Sequence, residues 1–360
     1  MIRKISLLLA GLLAVPACAG AQSAAPATSR TGAIAAPAAA ASPSDPTALM
    51  VQAARVNGLS GLLVPWHLEA TYQTFDADGK PKDQGTFSEW WAGKEKYKTV
   101  YSSSSGGLNL TTYLNGKTIT STGSPAWTPY RVQMAERYLI SPVPPAGAVE
   151  KLAFSVMERK MGQVTLQCLR APMSEPDAKA YLPYDDLPSV CLIGDSPIVR
   201  ATVNEDRYFA LYNKIVQIGG RYIAEDLSVS TRDRTIVNMQ VTKLELLSRV
   251  DNSDFAPPPT APLLPVRVSV DARVAARNRI GGAAPELTAV ARSQRVGGTV
   301  ILDAVITPEG KIGELDVLGG PKALQSAAYD AVKTWRYKPF LLNGQPVEVQ
   351  TEIGVIFPPR

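Results

Sequence analysis

The sequence is poor in the residues on which most enzymes and metal sites depend. Its 360 residues include one histidine and three cysteines. A zinc site or a histidine-based catalytic set needs more of these residues than the chain supplies. The sequence also lacks a phosphate-binding loop and a Cys-x-x-Cys motif. We therefore expect no catalytic residue, no metal ligand and no cofactor, and interpret the chain as a protein that is not an enzyme.

Charge is scarce as well. Charged residues make up 19 % of the chain, below the roughly 25 % usual for soluble proteins. The net charge of +5 is dispersed, whereas nucleic-acid binding needs a clustered basic face.

No other residue pattern of the sequence supports catalysis or calcium binding. His67, and the pair of neighbouring carboxylates Asp185-Asp186, have no companion residues that would complete an acid–base site. The motif Asp76-x-Asp78-Gly79 has Phe87, not an acid, where a calcium loop closes, so we expect a turn there.

The chain has no apolar run of about 20 residues, the length that a membrane-spanning helix needs. Its N-terminal apolar run, residues 5–15, is shorter and follows Arg3 and Lys4. Residues 1–18 therefore predict a secretory signal peptide. The stretch Val15-Pro16-Ala17-Cys18 resembles a bacterial lipobox, in which Cys18 would be lipidated; ordinary cleavage nearby is the alternative. Either outcome predicts export to the periplasm. A lipid anchor, or the leader if it stays uncleaved, would be the only contact with a membrane.

Export makes a disulfide reasonable. With Cys18 lipidated or removed, Cys168 and Cys191 remain as one candidate pair in an oxidising compartment. Two separate buried thiols are the alternative that the sequence leaves open.

Proline and small residues divide the chain. Residues 19–44 are mostly Ala, Pro and Ser and predict a tether without a core. Residues 251–265 contain five prolines and predict a polyproline spacer. These segments bracket a first domain at 45–250 and a second at 266–360.

The first domain shows the period-two alternation of half-buried strands. Residues 66–75 alternate between apolar and polar side chains, and Asn115-Gly116 is a strong hairpin signal. Asp45 and Pro46 begin a predicted helix. The fold class is therefore α+β, with a curved antiparallel half-barrel and helices. Residues 67–72 and 85–91 carry a resemblance to the LolA-like lipoprotein-carrier superfamily, which implies an apolar groove.

The last 75 residues carry a more specific pattern. A strand over 299–306, the turn Pro308-Glu309-Gly310-Lys311 and a strand over 312–318 precede a helix with one apolar stripe. The motif Trp335-Arg336-Tyr337-Lys338-Pro339, Asn343-Gly344 and a final strand follow. Residues of about 285–357 thus closely resemble the TonB C-terminal domain family, which implies a small α+β domain.

That resemblance implies binding of an extended peptide by addition to a sheet edge. The partner it implies is an outer-membrane TonB-dependent receptor or another envelope protein. The candidate edge consists of Val347, Glu348, Val349, Gln350, Thr351, Glu352, Ile353, Gly354 and Val355. The alternative is that this strand lies inside the sheet, between two other strands, and has no free edge. The alternative function is a lipid or lipoprotein carrier that uses the groove of the first domain.

Overall fold

The computed structural model describes residues 45–104, 109–116, 118–123, 127–171, 188–203, 208–231 and 234–358. The predicted signal peptide with Cys18, the tether and Asp185-Asp186 lie outside these ranges. Within them, no helix has the length and hydrophobicity needed to cross a bilayer.

Twelve antiparallel strands form one sheet in the first domain. They are β1 (Trp66–Phe75), β2 (Pro81–Gly93), β3 (Lys96–Ser103), β4 (Asn109–Asn115), β5 (Thr118–Gly123), β6 (Ser155–Met161), β7 (Val164–Arg170), β8 (Ser189–Leu192), β9 (Val199–Val203), β10 (Phe209–Ile218), β11 (Arg221–Ser230) and β12 (Thr235–Leu246). Their order is β5-β4-β3-β2-β1-β12-β11-β10-β9-β8-β7-β6. Because β5 and β6 do not pair with each other, the sheet stays open, as the predicted half-barrel requires.

Helices cover one face of this sheet. They are α1 (Pro46–Val56), α2 (Tyr130–Ile140) and the short α3 (Ala146–Val149). Asp45 caps α1 by accepting a hydrogen bond from the Thr47 amide at 2.9 Å, as its sequence predicts. Trp66 and Trp91 stack in the core beneath the helices, with ring centroids 6.0 Å apart. From Trp66 onwards, every second side chain of β1 points into this core, and the side chains between them form the outer face of the sheet.

The second domain is a smaller α+β module. Its main sheet has the order β13-β20-β15-β16. Its strands are β13 (Arg267–Ser269), β14 (Arg279–Gly281), β15 (Gly298–Ile306), β16 (Ile312–Gly319), β17 (Arg336–Tyr337), β18 (Leu341–Leu342), β19 (Gln345–Pro346) and β20 (Glu348–Phe357). Its helices are α4 (Ala272–Asn278), α5 (Ala289–Ser293) and α6 (Lys322–Lys333). The apolar stripe of α6 packs on the sheet, with Leu324, Ala328 and Val332 fully buried.

The proline-rich segment 251–265 is bound to the first domain. Leu264 donates its backbone N–H to the Ile119 carbonyl at 3.0 Å, and Ser121 donates to the Pro262 carbonyl at 3.0 Å. Phe255 is buried. The predicted spacer therefore serves as a partial strand on the edge of β5, because that edge offers free backbone donors and acceptors.

Cys168 and Cys191 form a disulfide, as predicted from export and cysteine count. They stand directly opposite each other on β7 and β8. Both are fully buried in a small cluster with Leu166 and Ala201.

Candidate functional site

Strand β20 carries the candidate binding residues, and its alternation is clear. Val349, Ile353 and Val355 point into the core of the module, and Val347, just before the strand, is buried. Gln350 and Thr351 are also buried. Glu348 and Glu352 are half-buried, and Gly354 is exposed.

The two rims of β20 differ. One rim pairs with β15 over its whole length, from Val349 opposite Ile306 to Phe357 opposite Gly298. The other rim pairs with β13, in parallel, only over Glu348–Gln350. The start of the candidate edge is therefore internal to the sheet.

The rest of this second rim runs past the end of β13. Val270 donates to the Gln350 carbonyl at 3.0 Å, and Glu348 donates to the Val266 carbonyl at 3.2 Å. Backbone groups of a strand alternate in direction, so the N–H and C=O groups of Gly354 and Ile356 face this rim. Among the described residues, no backbone group pairs with them there. Gly354 and Ile356 thus offer a short free ladder, and the Ile356 side chain is 76 % exposed.

A groove lies at the same end of β20. It has a volume of about 350 Å³ and is lined by Pro285, Glu286, Leu287, Arg292, Ile356, Phe357 and Pro358. A chain that pairs with Ile356 would meet the apolar Leu287 and the charged Arg292 in this groove.

Arg267 fixes β13 on the sheet. Its guanidinium donates to Glu348 at 3.1 Å and to Glu314 of β16 at 2.7 Å. The guanidinium carbon also lies 5.8 Å from the Trp127 ring centroid of the first domain. Because the Arg267 side chain is only 9 % exposed, loss of its carboxylate partners would leave a buried charge without compensation.

Three carboxylates cross the module's sheet in one row. Glu352 stands opposite Asp303, and Asp303 stands opposite Asp316. The first domain covers this row. The Tyr130 hydroxyl donates to Glu352 at 2.6 Å, and Arg131 donates to Asp316 at 3.1 and 3.2 Å.

Burial changes the ionisation of several of these groups. Desolvation raises the pKa of Asp303 to about 7, although Gln350 donates to its carboxylate at 3.2 Å. A cleft of about 230 Å³ beside the row is lined by residues of both domains, including Glu136, Tyr130 and Gln350. Burial also raises the pKa of Glu136 to about 7 and that of the neighbouring Glu89 well above its usual range.

Local sequence pattern predicts neither β13 nor the carboxylate row. The only signal for the row was Asp303 within the apolar run Thr299 to Ile306. The register that aligns it with two other acids is set by strand pairing, which no local pattern reveals.

The remaining candidate motifs have structural roles. His67 is buried on the outer face, where its ring stacks on Trp90 at 4.2 Å and contacts Glu245 at 3.1 Å. The motif from Asp76 to Gly79 forms the turn between β1 and β2. Its Asp78 accepts a hydrogen bond from Lys322 of α6 at 2.8 Å, so this turn also contacts the second domain.

An apolar cavity of about 340 Å³ lies in the first domain between the helices and the sheet. It is lined by Met50, Tyr138, Pro142, Pro144, Val149, Leu152, Phe154, Leu169, Ala171, Pro188, Ser189, Val190, Thr202 and Val203. Its walls are mostly hydrocarbon, which suits an apolar guest.

Comparison with known proteins agrees with the geometry of the second domain. Residues 283–359 match the family model described as the C-terminal part of the Gram-negative bacterial TonB protein. The TonB resemblance predicted from the motifs is confirmed. The TonB-like segment spans β15, β16, α6 and β20, and so includes the free rim. The match concerns this segment and leaves the first domain outside it.

Solved structures similar to the chain include a LolA-superfamily protein, NE2245 from Nitrosomonas europaea, with 7 % identity and a TM-score of 0.37. The match covers 59 % of this chain and 98 % of that one. A DUF1329 family protein from Desulfovibrio piger has 10 % identity and a TM-score of 0.35, covering 59 % and 95 %. Similarity at these scores says nothing about the ligands of the first domain. No curated protein matches the sequence.

Proposed function

We propose that the TonB-like module captures an extended peptide from an outer-membrane receptor or another envelope protein, at the open part of the β20 rim. The observation that carries this proposal is the free ladder at Gly354 and Ile356, next to a groove lined by Leu287 and Arg292. An incoming strand would gain backbone hydrogen bonds from the rim and specificity from the groove. No reaction step is needed.

The short β13 limits where such a peptide can bind. It occupies the rim only over Glu348–Gln350, so the peptide would pair beyond it. Of the nine candidate residues, the proposed site keeps Gly354, and it adds Ile356, which lies just beyond them. Membrane attachment through Cys18 belongs to this proposal, because a lipidated N-terminus would hold the module near envelope partners.

Proline at Gly354 tests this site. Gly354→Pro removes a backbone donor that faces the open rim, and proline is tolerated where that donor is not used within the sheet. We expect affinity for fluorescent peptides from receptor plug segments to fall by roughly tenfold or more, measured by anisotropy on the full chain. Gly354→Ala is the matched control, since an added Cβ would meet only the Thr299 methyl at 3.7 Å.

Ile356→Pro and Ile356→Ala repeat the test at the second rim position. Equal affinity of both proline variants and the wild type, with folding confirmed by circular dichroism, would contradict the proposal. Absence of binding to every receptor peptide would contradict it too.

A second candidate function is a carrier of an acyl or lipid chain, and the apolar cavity of the first domain favours it. Leu152 is 37 % exposed in the lining of that cavity, so Leu152→Asp adds a charge there with little cost in folding. Binding of a fluorescent fatty acid that is lost in Leu152→Asp and unchanged in Gly354→Pro would support the carrier. No fatty-acid binding by the wild type would exclude it.

A further inference from the structure

A polar trough of about 640 Å³ lies on the first-domain sheet. It crosses five neighbouring strands, β2-β1-β12-β11-β10, a width of about 19 Å at the usual strand spacing. Strand register arranges its side chains in two rows. One row is Thr86, Thr71, Gln240, Asp226 and Asn213, and the other is Gln84, Gln73, Asn238 and Ser228. These side chains share the face opposite the helices.

The side chains of the two rows are polar and mostly uncharged. The rows carry hydroxyls and carboxamides, and no described lining residue is lysine, arginine or histidine. Asp226 is the one carboxylate, and Lys214 pairs with it at 2.9 Å. Arg200 stands at one end and donates to the Asn213 carboxamide at 2.8 Å. The trough is therefore close to neutral.

Its carboxamides are available for binding. Among the described residues, the side chains of Gln73, Asn238 and Gln240 have no hydrogen-bond partner. A carboxamide donates and accepts at once, so neighbouring carboxamides match neighbouring hydroxyl groups of a ligand.

We propose that this trough binds a neutral, hydroxyl-rich polymer, namely a glycan chain that runs across the strands. Anionic polymers need unpaired cationic partners, whereas the two cations at the trough, Lys214 and Arg200, are already engaged by Asp226 and Asn213. Acyl chains need apolar walls, whereas the side chains of both rows are polar. An extended peptide pairs with a sheet rim, whereas backbone groups here are already paired within the sheet. A chain of sugar hydroxyls fits both the rows and their neutrality.

Titration calorimetry of the full-length chain with neutral tetra- and hexasaccharides of the malto-, cello- and chito-series tests this proposal. We expect saturable binding in at least one series. Asn238→Ala and Gln240→Ala should each weaken it by roughly tenfold. Gln217→Ala, an exposed carboxamide on β10 outside the trough, is the matched control and should leave affinity unchanged.

Three results would overturn the proposal: no binding in any series, equal affinity in the trough variants and the wild type, or stronger binding of a sulfated than of a neutral oligosaccharide. Side-chain amide NMR shifts of Gln73 and Asn238 in the wild-type protein provide a measurement that does not depend on a variant folding. Gly354→Pro should bind oligosaccharides normally, so the trough and the peptide site can fail independently.

Discussion

Asp303 lies in the middle of an otherwise apolar strand. It is flanked by Glu352 and Asp316 on the neighbouring strands and faces the first domain. Desolvation, followed by the nearby charges of Asp316 and Glu314, raises its pKa, while Gln350 and Arg131 oppose the shift. A carboxyl group in this position is most stable when it keeps its proton.

Asp303→Asn should therefore change how stability depends on pH. Asp303 keeps its proton up to a pKa of about 7 in the folded protein, but an unfolded aspartate ionises near pH 4. Between these values the folded chain binds more protons, so the free energy of unfolding falls as the pH rises from about 4 to about 7. An asparagine at this position cannot ionise, so the free energy of unfolding of the Asp303→Asn variant does not show this fall.

Urea unfolding at about pH 5 and about pH 8 checks this expectation. Relative to the wild type, Asp303→Asn should gain about 1–3 kcal/mol between the two values. Asp330→Asn, on the exposed side of α6, is the matched control. An identical pH dependence in Asp303→Asn and the wild type would show that Asp303 is already ionised in the folded protein.

Alternation with period two correctly places Val349, Ile353 and Val355 inside, but it does not predict that Gln350 on the polar face is buried as well. The strands that pair with the two edges of β20 could not be predicted in this way. β13 is only three residues long and lies about 80 positions earlier in the chain, and its pairing depends on the Arg267 contacts with Glu348 and Glu314.

At the scale of elements, the disulfide joins two neighbouring strands near one edge of the large sheet. Cys168 on β7 and Cys191 on β8 are 23 positions apart, and residues 172–187 between them are outside the described ranges. The bond limits the freedom of the unfolded chain across this segment, which is how disulfides stabilise in the chain-entropy model.

The double variant Cys168→Ser, Cys191→Ser should lower the free energy of unfolding by about 3 kcal/mol. Urea unfolding of the oxidised wild type and the variant measures this difference. Addition of a reductant should bring the wild type towards the variant and leave the variant unchanged. A variant as stable as the wild type would show that strand pairing alone fixes this edge.

Local sequence predicts where strands and helices begin and end better than it predicts which elements pair with each other. Asp45 and Pro46 mark the start of α1, and Asn115-Gly116 leads from β4 towards β5. The composition of the proline-rich segment predicts a polyproline spacer. It does not reveal that Leu264 is buried and bonded to Ile119, because those partners belong to the edge strand β5.

At the scale of the whole molecule, the two domains share apolar contacts. Leu318 of β16 is fully buried, and it packs with Ile301 into the core of the first domain. Arg131 adds a hydrogen bond to the Val317 carbonyl at 2.7 Å. The domains are therefore expected to unfold together.

Leu318→Ala should weaken this coupling. Truncation of a buried leucine to alanine lowers the free energy of unfolding by about 2–5 kcal/mol. Leu318 lies in the contact between the domains, so this substitution weakens that contact. Differential scanning calorimetry should show one transition for the wild type and two for the variant. Leu342→Ala, at a position 44 % exposed, should keep one transition. Two transitions in the wild type would show that the domains unfold independently.

The attachment of residues 262–264 to β5 has a consequence for a protease. The connection at 256–261 contains three prolines and is mostly exposed, so a protease can reach it. A single cut there would break the chain and still leave the two halves bound, through the Leu264–Ile119 hydrogen bond, Leu318 and Arg131. The cut protein would elute from a sizing column as the intact one does, and separate into two bands only in detergent.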